Sequence, residues 1–220
     1  MHKSAHLITI NKGDRLKYLL YKPDINRQKF PLVLFLHGAG ERGDNLKLVE
    51  THGLPMLYKK MNFPFILIAP QCPINQWWND KSLVDTLIKL IDNFSDEKYI
   101  DSSRIYVTGL SMGGYGTYAL ITKRPELFAA ALPICGEADL SLLSSAKSIP
   151  IWIFHGDKDP IIPVKHSIDA YELLKEFKES NARLTIYEDL GHDAWTETYN
   201  NYEVLDWLLD QKKAEINIRE

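Results

Sequence analysis

The segment Ile105-Tyr106-Val107-Thr108-Gly109-Leu110-Ser111-Met112-Gly113-Gly114 decides the fold. Its first four residues form a short continuous apolar run, which is typical of a strand buried on both faces of a sheet. The pattern Gly-x-Ser-x-Gly follows at once, and helical spacing then continues to Lys123. A strand, a sharp glycine-containing turn and a helix in this order hold a serine side chain above the edge of a sheet. We therefore interpret Ser111 as a candidate nucleophile.

Outward from this segment, apolar runs bounded by Gly, Pro, Asn or Asp predict eight strands. These predicted strands are Ala5–Ile10, Leu16–Tyr21, Leu32–Leu36, Phe65–Ala69, Ile105–Thr108, Ala129–Ile134, Ile151–Phe154 and Leu184–Tyr187. The turn-rich residues Asn11-Lys12-Gly13-Asp14 separate the first two and indicate an antiparallel hairpin.

Stretches with helical spacing alternate with the last six predicted strands. The predicted helices are Asn45–Lys60, Leu83–Phe94, Met112–Lys123, a short one at Leu140–Ala146, Lys165–Glu179 and Trp195–Lys213. This alternation predicts an α/β protein with a mostly parallel, doubly wound, eight-stranded sheet and helices on both faces. Ligands bind such sheets at the carboxyl ends of the strands, so the residues that follow each strand are the candidates for chemistry.

Composition places the chain among globular proteins. It has 220 residues, 45% of them hydrophobic and 25% charged, with a formal net charge of −3. We expect a single domain over residues 1–220, since no repeat or linker divides it. The Lys and Arg residues are scattered, which argues against a nucleic acid partner. No apolar run reaches the ~20 residues that would span a bilayer, so no membrane association is expected.

The first residues, Met1-His2-Lys3-Ser4-Ala5-His6, contain no signal-peptide core. The sequence is therefore compatible with a soluble cytoplasmic protein or with a domain excised from an exported one. The compartment and the oligomeric state stay open.

A serine hydroxyl needs a base to take its proton, and a histidine base needs a carboxylate to fix its tautomer. Asp159 and His192 follow two predicted strands and have the order Ser, Asp, His along the chain. They are the predicted acid and base. Asp157, two residues before Asp159, is the competing acid, and His155 is interpreted as a residue that stabilises its loop.

The backbone amides that would hold an oxyanion are expected in two places. One is Met112, directly after Ser111. The other lies in the loop His37-Gly38-Ala39-Gly40, with the amide of Ala39 as the first choice and that of Gly40 as the alternative. His37 itself is predicted to pack and to form hydrogen bonds in this loop.

Gly38-Ala39-Gly40-Glu41-Arg42-Gly43 also matches the dinucleotide-binding pattern Gly-x-Gly-x-x-Gly. That interpretation requires an acidic residue at the end of the next strand to bind the ribose. The next strand ends instead in Ala69-Pro70-Gln71. Neither a His-Glu-x-x-His pattern nor a cluster of Cys and His occurs. We therefore expect no cofactor and no metal.

Six segments carry a family resemblance: Leu36-His37-Gly38-Ala39-Gly40-Glu41-Arg42-Gly43, Ala69-Pro70-Gln71-Cys72-Pro73, Gln76-Trp77-Trp78, Gly109-Leu110-Ser111-Met112-Gly113-Gly114, His155-Gly156-Asp157-Lys158-Asp159 and Gly191-His192-Asp193-Ala194-Trp195. Together they resemble the carboxylesterase and "predicted peptidase" branch of the α/β-hydrolases over about residues 16 to 210. Members are similar to dienelactone hydrolases, phospholipase/carboxylesterases and feruloyl or acetyl-xylan esterases. The resemblance implies the α/β-hydrolase fold and hydrolysis of esters.

The connection between the predicted strands Ala129–Ile134 and Ile151–Phe154 is short, and its central part, Gly136 to Ser148, has only 13 positions. Lipases with this fold often carry a lid at that point, so we expect no large cap domain and an open, shallow site. Short acyl groups, or esters displayed on a bulky polymer, are the expected substrates. The candidate substrate-binding residues are Trp77, Trp78, Glu137 and Trp195.

The two cysteines, Cys72 and Cys135, follow strands that the usual hydrolase order places roughly 14 Å apart, at ~4.8 Å per strand. A disulfide needs Cα atoms closer than about 7 Å. Two free thiols are therefore predicted.

The leading hypothesis is a serine carboxylesterase that works through an acyl-enzyme, acting on a small-molecule or polysaccharide-linked ester. Two alternatives stay open. One is a serine peptidase or amidase of the same fold, and the other is a non-catalytic binding protein that kept the hydrolase fold.

Overall fold

The computed structural model describes residues 2–9, 15–25 and 28–213. The described strands are β1 (His2–Thr9), β2 (Arg15–Lys22), β3 (Phe30–Leu36), β4 (Ile66–Pro70), β5 (Ile100–Leu110), β6 (Ala130–Ile134), β7 (Ile151–Gly156) and β8 (Ala182–Tyr187). Each of the eight predicted strands is confirmed. The predicted turn at Asn11-Lys12-Gly13-Asp14 lies outside the described residues.

The strands form one sheet in the order β1-β2-β4-β3-β5-β6-β7-β8. β1 pairs with β2, and β2 with β4, in antiparallel fashion. All pairs from β4 through β8 are parallel. The predicted hairpin and the mostly parallel sheet are thus confirmed. Every residue of β3 is buried, as expected for a strand covered on both faces.

In the described part of the chain, six α-helices cover the sheet: α1 (Gly53–Tyr58), α2 (Lys81–Ser95), α3 (Met112–Lys123), α4 (Lys165–Lys175), α5 (Ala194–Asn200) and α6 (Tyr202–Asp210). Short 3-10 helices occur at Ala39–Glu41, Leu48–Glu50, Pro125–Leu127 and Leu143–Ala146. Apolar residues of α2, α3 and α4 share one hydrophobic cluster, and those of α1, α5 and α6 share another. The sheet therefore has a helical layer on each face, as a doubly wound fold requires.

The predicted helix Asn45–Lys60 is wrong, because the chain forms a 3-10 helix at Leu48–Glu50 and a separate α1 instead. Gly53 begins α1 with a φ of +65°, in the left-handed region that favours glycine. A Cβ on Gly53 would lie 2.5 Å from the Phe35 ring. Contact with the sheet thus fixes a backbone conformation that breaks the helix.

The predicted helix Trp195–Lys213 is divided as well. Asn201 is extended, with φ −86° and ψ 110°, and its side chain accepts a hydrogen bond from the amide of Glu203. This cap ends α5 and begins α6. Two other predicted helices are shorter than expected: α4 ends at Lys175, and only Leu143–Ala146 is helical after β6.

Cys72 follows β4 and Cys135 follows β6, with β3 and β5 between these strands in the sheet. Both thiols are buried and free, which confirms the prediction. Among the described residues, no helix is long and apolar enough to span a membrane.

Candidate active site

The turn between β5 and α3 has an unusual backbone at Ser111, with φ 53° and ψ −117°. The glycines two positions before and after Ser111 have no room for side chains. A Cβ on Gly109 would lie 2.3 Å from the carbonyl oxygen of Gly113, and one on Gly113 would lie 2.0 Å from that of Leu36. The glycines therefore allow a strained turn that presents the serine hydroxyl at the carboxyl end of β5.

Ser111, His192 and Asp159 are connected by hydrogen bonds. Ser111 Oγ lies 2.9 Å from His192 Nε2, and His192 Nδ1 lies 2.6 Å from Asp159 Oδ2. An ionised carboxylate only accepts hydrogen bonds, so Nδ1 carries the proton and Nε2 is free to accept the serine proton. The structure thus brings the three predicted residues together, although they are 33 and 81 residues apart along the chain.

Asp159 lies in the turn after β7 with its side chain fully buried. Burial alone would raise the pKa of this carboxyl. Hydrogen bonds from His192 and from the backbone amides of Ile162 and Ile161 outweigh burial and hold the pKa below its ordinary value. The group is consequently an anion at neutral pH, able to orient His192 and to stabilise its charged form.

His155, at the end of β7, also touches this carboxylate. Its Nε2 lies 3.1 Å from Asp159 Oδ2 and 2.9 Å from the carbonyl oxygen of Ile162, so it donates to both. Its Nδ1 then accepts from Ser167 Oγ at 2.7 Å. Burial lowers the pKa of His155 and keeps the ring neutral. His155 therefore stabilises its loop, as the sequence indicated, and it also holds the acid.

The competing acid, Asp157, is exposed to solvent. Its amide donates to the carbonyl oxygen of Tyr187, which fixes it in the turn after β7. Asp159, and not Asp157, is the carboxylate that contacts His192.

The loop after β3 lies beside the nucleophile. A Cβ on Gly38 would be only 3.8 Å from the Cβ of Ser111. Ala39 begins a 3-10 helix and Met112 begins α3, so neither amide has an acceptor within its own helix. The amide of Gly40 is one position further along the same 3-10 helix. Two helix N-termini therefore flank Ser111 and favour negative charge there.

His37 is buried and neutral, because burial lowers its pKa to about 4. Its Nδ1 donates to the carbonyl oxygen of Gly38 at 2.6 Å, and its Nε2 accepts from the amide of Cys72 at 3.0 Å. This ring ties the loop after β3 to the end of β4. The predicted packing role of His37 agrees with these contacts.

Trp78 requires a correction, because it was predicted to bind substrate and its side chain is fully buried. Its Nε1 donates to the carbonyl oxygen of His37 at 2.9 Å. A Cβ on Gly116 would lie 2.4 Å from the Cβ of Trp78, so the ring base packs directly on α3. Trp78 is therefore a core residue that supports the loop after β3.

Of the other three predicted substrate-binding residues, Trp195 contacts the triad directly, and Trp77 and Glu137 both contact Tyr115. Trp77 is 44% exposed and meets Tyr115 edge to face. Glu137 accepts from Tyr115 Oη at 3.1 Å and pairs with His166 at 3.2 Å. Trp195 packs edge to face on His192, with ring centroids 5.3 Å apart.

Tyr115 is the residue of this site that sequence reasoning missed. It follows Ser111 by four residues, and its amide donates to the Ser111 carbonyl oxygen at 3.3 Å. Burial, then the hydrogen bond to Glu137, raises its pKa to about 12, so the phenol keeps its proton. The spacing of four on a predicted helix could have placed Tyr115 beside the nucleophile.

Cys135, Asp159 and His192 could offer ligand atoms to a metal ion, since these atoms lie within 4.8 Å of one another. Asp159 and His192 are already hydrogen-bonded in the triad with Ser111. Burial raises the pKa of the Cys135 thiol, so this group is a protonated, poor ligand at neutral pH. The arrangement fits proton transfer better than a metal centre.

The phospholipase/carboxylesterase family model matches residues 79–203, more than half of the chain. The chain belongs to this family. A solved thermostable esterase superposes with a TM-score of 0.83 and 38% identity, over 96% of this chain and 63% of that one. The family assignment and this superposition establish the α/β-hydrolase fold, which the resemblance had implied.

Two curated relatives belong to different ester-cleaving classes. A bifunctional acetylxylan esterase/xylanase of Neocallimastix patriciarum is 27% identical over 65% of this chain and 21% of its own length. An acyl-protein thioesterase of Neurospora crassa is 28% identical over 78% of this chain and 83% of its own. The chain thus spans only about a fifth of the first relative. The family is one of esterase-type hydrolases.

Proposed function

We propose that this protein is a serine carboxylesterase that hydrolyses short-chain acyl esters through an acyl-enzyme. One observation carries the proposal: Ser111, on a strained turn at the end of β5, is hydrogen-bonded through His192 to the buried Asp159. Esters displayed on plant polysaccharides, as acetyl or feruloyl groups, are the proposed natural class. The similarity to the acetylxylan esterase/xylanase of Neocallimastix patriciarum supports this choice.

In acylation, Ser111 Oγ attacks the carbonyl carbon of the ester while His192 Nε2 takes the hydroxyl proton. The carbonyl π electrons move to its oxygen, and a tetrahedral intermediate forms. When the bond to the leaving oxygen breaks, His192 gives its proton to that oxygen. The alcohol departs, and the acyl group stays on Ser111.

In deacylation, a water molecule takes the place of the alcohol. His192 removes a proton from the water as it attacks the acyl carbon, and then returns that proton to Ser111 Oγ as the carboxylic acid leaves. Asp159 keeps its charge throughout and stabilises the imidazolium.

The oxyanion of both intermediates is assigned to the backbone amides of Met112 and Ala39, with Gly40 as the alternative to Ala39. Both first-choice amides begin helices next to Ser111 and lack a partner within those helices. Donors fixed in place before the reaction stabilise the charge without reorganisation.

Three side chains are assigned to the substrate at the mouth of the site. Trp77 offers an exposed ring and Glu137 a half-exposed carboxylate, while Trp195 forms a wall against His192. Between β6 and β7 the chain forms only the 3-10 helix Leu143–Ala146 and loops, which leaves no large cap over the site. An open site suits a short acyl group or an ester on a polymer.

The experiment is hydrolysis of p-nitrophenyl acetate by the wild type and by Ser111→Ala. We expect the variant to lose activity by about 10⁴-fold or more, because the acyl-enzyme cannot form. Its far-UV circular dichroism and unfolding midpoint should match the wild type. Activity retained in a folded Ser111→Ala protein would contradict the mechanism.

A comparison of two substrates distinguishes an esterase from an amidase. p-Nitrophenyl acetate and p-nitroacetanilide carry the same acyl group on an oxygen and on a nitrogen. We expect the ester to be preferred, and comparable kcat/KM values would favour an amidase.

A further inference from the structure

A large groove begins one helical turn from Ser111. It has a volume of about 850 Å³ and lies between α2, α3 and the segment 137–142 after β6. Tyr115 and Glu137 line its near end, and Thr122 on α3 lines its far part. At 1.5 Å per helical residue, the groove runs roughly 10 Å along α3 from Tyr115 to Thr122. The groove is therefore much longer than a short acyl group.

The charged side chains of the groove carry both signs. Lys81 and Lys123 oppose Asp85, Glu137 and Asp139, and Lys123 pairs with Asp85 at 3.8 Å. A groove of nearly balanced charge does not select a strongly charged ligand. A hydrocarbon chain placed here would remove water from these groups without replacing their hydrogen bonds, which is costly. A neutral ligand rich in hydroxyl groups fits this lining best.

Apolar surface completes the groove. Leu140 and Leu142 are 41% and 54% exposed, and Ala119 and Val84 lie opposite them on the two helices. Such sites combine apolar walls with a few polar groups that fix orientation. Sugar rings have the matching character, with apolar C–H faces and polar edges.

Tyr115 lines the end of the groove nearest the nucleophile, and the exposed ring of Trp77 contacts Tyr115 just outside the lining. Trp77 stands edge to face with Tyr115 at 6.2 Å, and its ring is covered on one side by Arg42 at 5.4 Å. Tyr115 Oη is held by Glu137. Exposed Trp and Tyr side chains offer a flat apolar face next to a polar group.

We propose that this groove binds the carbohydrate chain of the leaving group, so that the enzyme holds a neutral oligosaccharide along α3 while Ser111 attacks an ester carried near its end. The inference rests on the proposed esterase function. It adds a subsite for the alcohol side of the ester, distinct from the acyl side.

The test compares two substrates with the same acetyl group. One is p-nitrophenyl acetate, which is too small to reach the groove, and the other is an acetylated xylo-oligosaccharide. Leu142→Arg places a long charged side chain at the groove, and Ile186→Arg is the matched control on β8, where a 42% exposed isoleucine lies outside the groove. Ala119→Arg, on the α3 wall, is the second groove variant.

For Leu142→Arg we expect kcat/KM on the oligosaccharide ester to fall about tenfold, mainly through KM, as expected for a loss of about 1.4 kcal/mol of binding. Activity on p-nitrophenyl acetate should match that of Ile186→Arg. An unchanged oligosaccharide kcat/KM in both folded groove variants would overturn the proposal. A rise in KM for p-nitrophenyl octanoate, with the oligosaccharide ester unaffected, would also overturn it and assign the groove to the acyl chain.

A binding measurement separates this proposal from the esterase proposal. Unesterified xylohexaose is titrated into the Ser111→Ala protein and followed by calorimetry. Binding that Leu142→Arg weakens and Ile186→Arg does not would support the groove even if no ester is hydrolysed. If the wild type hydrolyses p-nitrophenyl acetate but Ser111→Ala does not bind xylohexaose at millimolar concentration, the groove proposal alone is overturned.

Discussion

The turn at Ser111 depends on the absence of a single methyl group at Gly113. A Cβ there would lie 2.0 Å from the carbonyl oxygen of Leu36, which belongs to β3 and cannot move without shifting the sheet. We expect Gly113→Ala to lower the free energy of unfolding by about 3 kcal/mol, as strong overpacking does. Urea denaturation measures this change.

Gly40→Ala is the matched control for that substitution, because nothing lies within 4 Å of a Cβ built on Gly40. It should change stability by less than about 0.5 kcal/mol. Equal effects of the two substitutions would show that the close approach at Gly113 does not limit the fold.

The ionisation of Asp159 makes the stability of the folded protein depend on pH. Its folded-state pKa lies below the ordinary value of 3.8, so the ionised carboxylate stabilises the folded protein. That contribution is complete above about pH 4 to 5 and is lost as the pH falls through the lower folded-state pKa. The stability difference between the wild type and Asp159→Asn should therefore shrink in this acid range.

Urea denaturation from pH 7 to pH 3 measures this difference. Asp157→Asn removes an equal charge from the exposed neighbour and serves as the control. A difference between the wild type and Asp159→Asn that grows toward low pH would contradict the account.

Single residues show where sequence reasoning succeeded and where it stopped. Ser111, Asp159 and His192 each follow a strand in a recognisable pattern, which was enough to predict that they lie together, as their hydrogen bonds show. Trp77 and Trp78 could not be told apart, because both follow β4 and only tertiary packing decides which is buried. Trp78 fills the space that Gly116 leaves by having no side chain. Gly116 lies 38 positions later in the chain, so no local sequence pattern reveals this contact.

At the scale of elements, two buried tyrosines on different helices provide a matched pair. Tyr118 on α3 and Tyr199 on α5 are each 2% exposed. Tyr199 Oη lies 2.8 Å from Thr108 Oγ1, whereas Tyr118 Oη has no hydrogen-bond partner among the described residues. A buried polar group without a partner is a cost to the folded state.

Tyr118→Phe should therefore leave the free energy of unfolding unchanged or raise it, and Tyr199→Phe should lower it by about 1 kcal/mol. Thermal unfolding of the two variants beside the wild type measures this contrast. A larger loss for Tyr118→Phe than for Tyr199→Phe would show that the phenol of Tyr118 has a role that its contacts do not reveal.

Strands were predicted better than helix boundaries, and the reason is physical. A buried parallel strand is a continuous apolar run with turn residues at each end, so its signal is local. The break before α1 comes from contact between Gly53 and Phe35, and the break before α6 comes from a cap at Asn201. Helical periodicity continues across both positions, which is why each interrupted segment looked like one helix.

At the scale of the whole molecule, we expect the short connection between β6 and β7 to determine which esters the proposed esterase accepts. It provides one 3-10 helix and no cap to cover a long hydrocarbon chain. We expect kcat/KM for p-nitrophenyl esters to be highest between acetate and butyrate and to fall toward octanoate. The chain-length series is measured below the solubility limit of each ester, and an optimum at octanoate would contradict an open site.

The mostly parallel sheet, and the position of the site at its carboxyl edge, followed from the alternation of strands and helices. The groove along α3 could not be predicted in this way, because it is formed by the spacing between α2, α3 and the segment after β6. Cavities of this kind depend on how far helices stand apart, which the apolar pattern of each helix does not encode.

The proposed mechanism requires that His192 activates Ser111 as a nucleophile. Labelling with a fluorophosphonate and measurement of intact mass test it most directly. We expect one adduct on the folded wild type, located at Ser111 by peptide mapping, strongly slowed labelling in His192→Ala and none in Ser111→Ala. No adduct on the folded wild type, or an adduct that persists in Ser111→Ala, would contradict it.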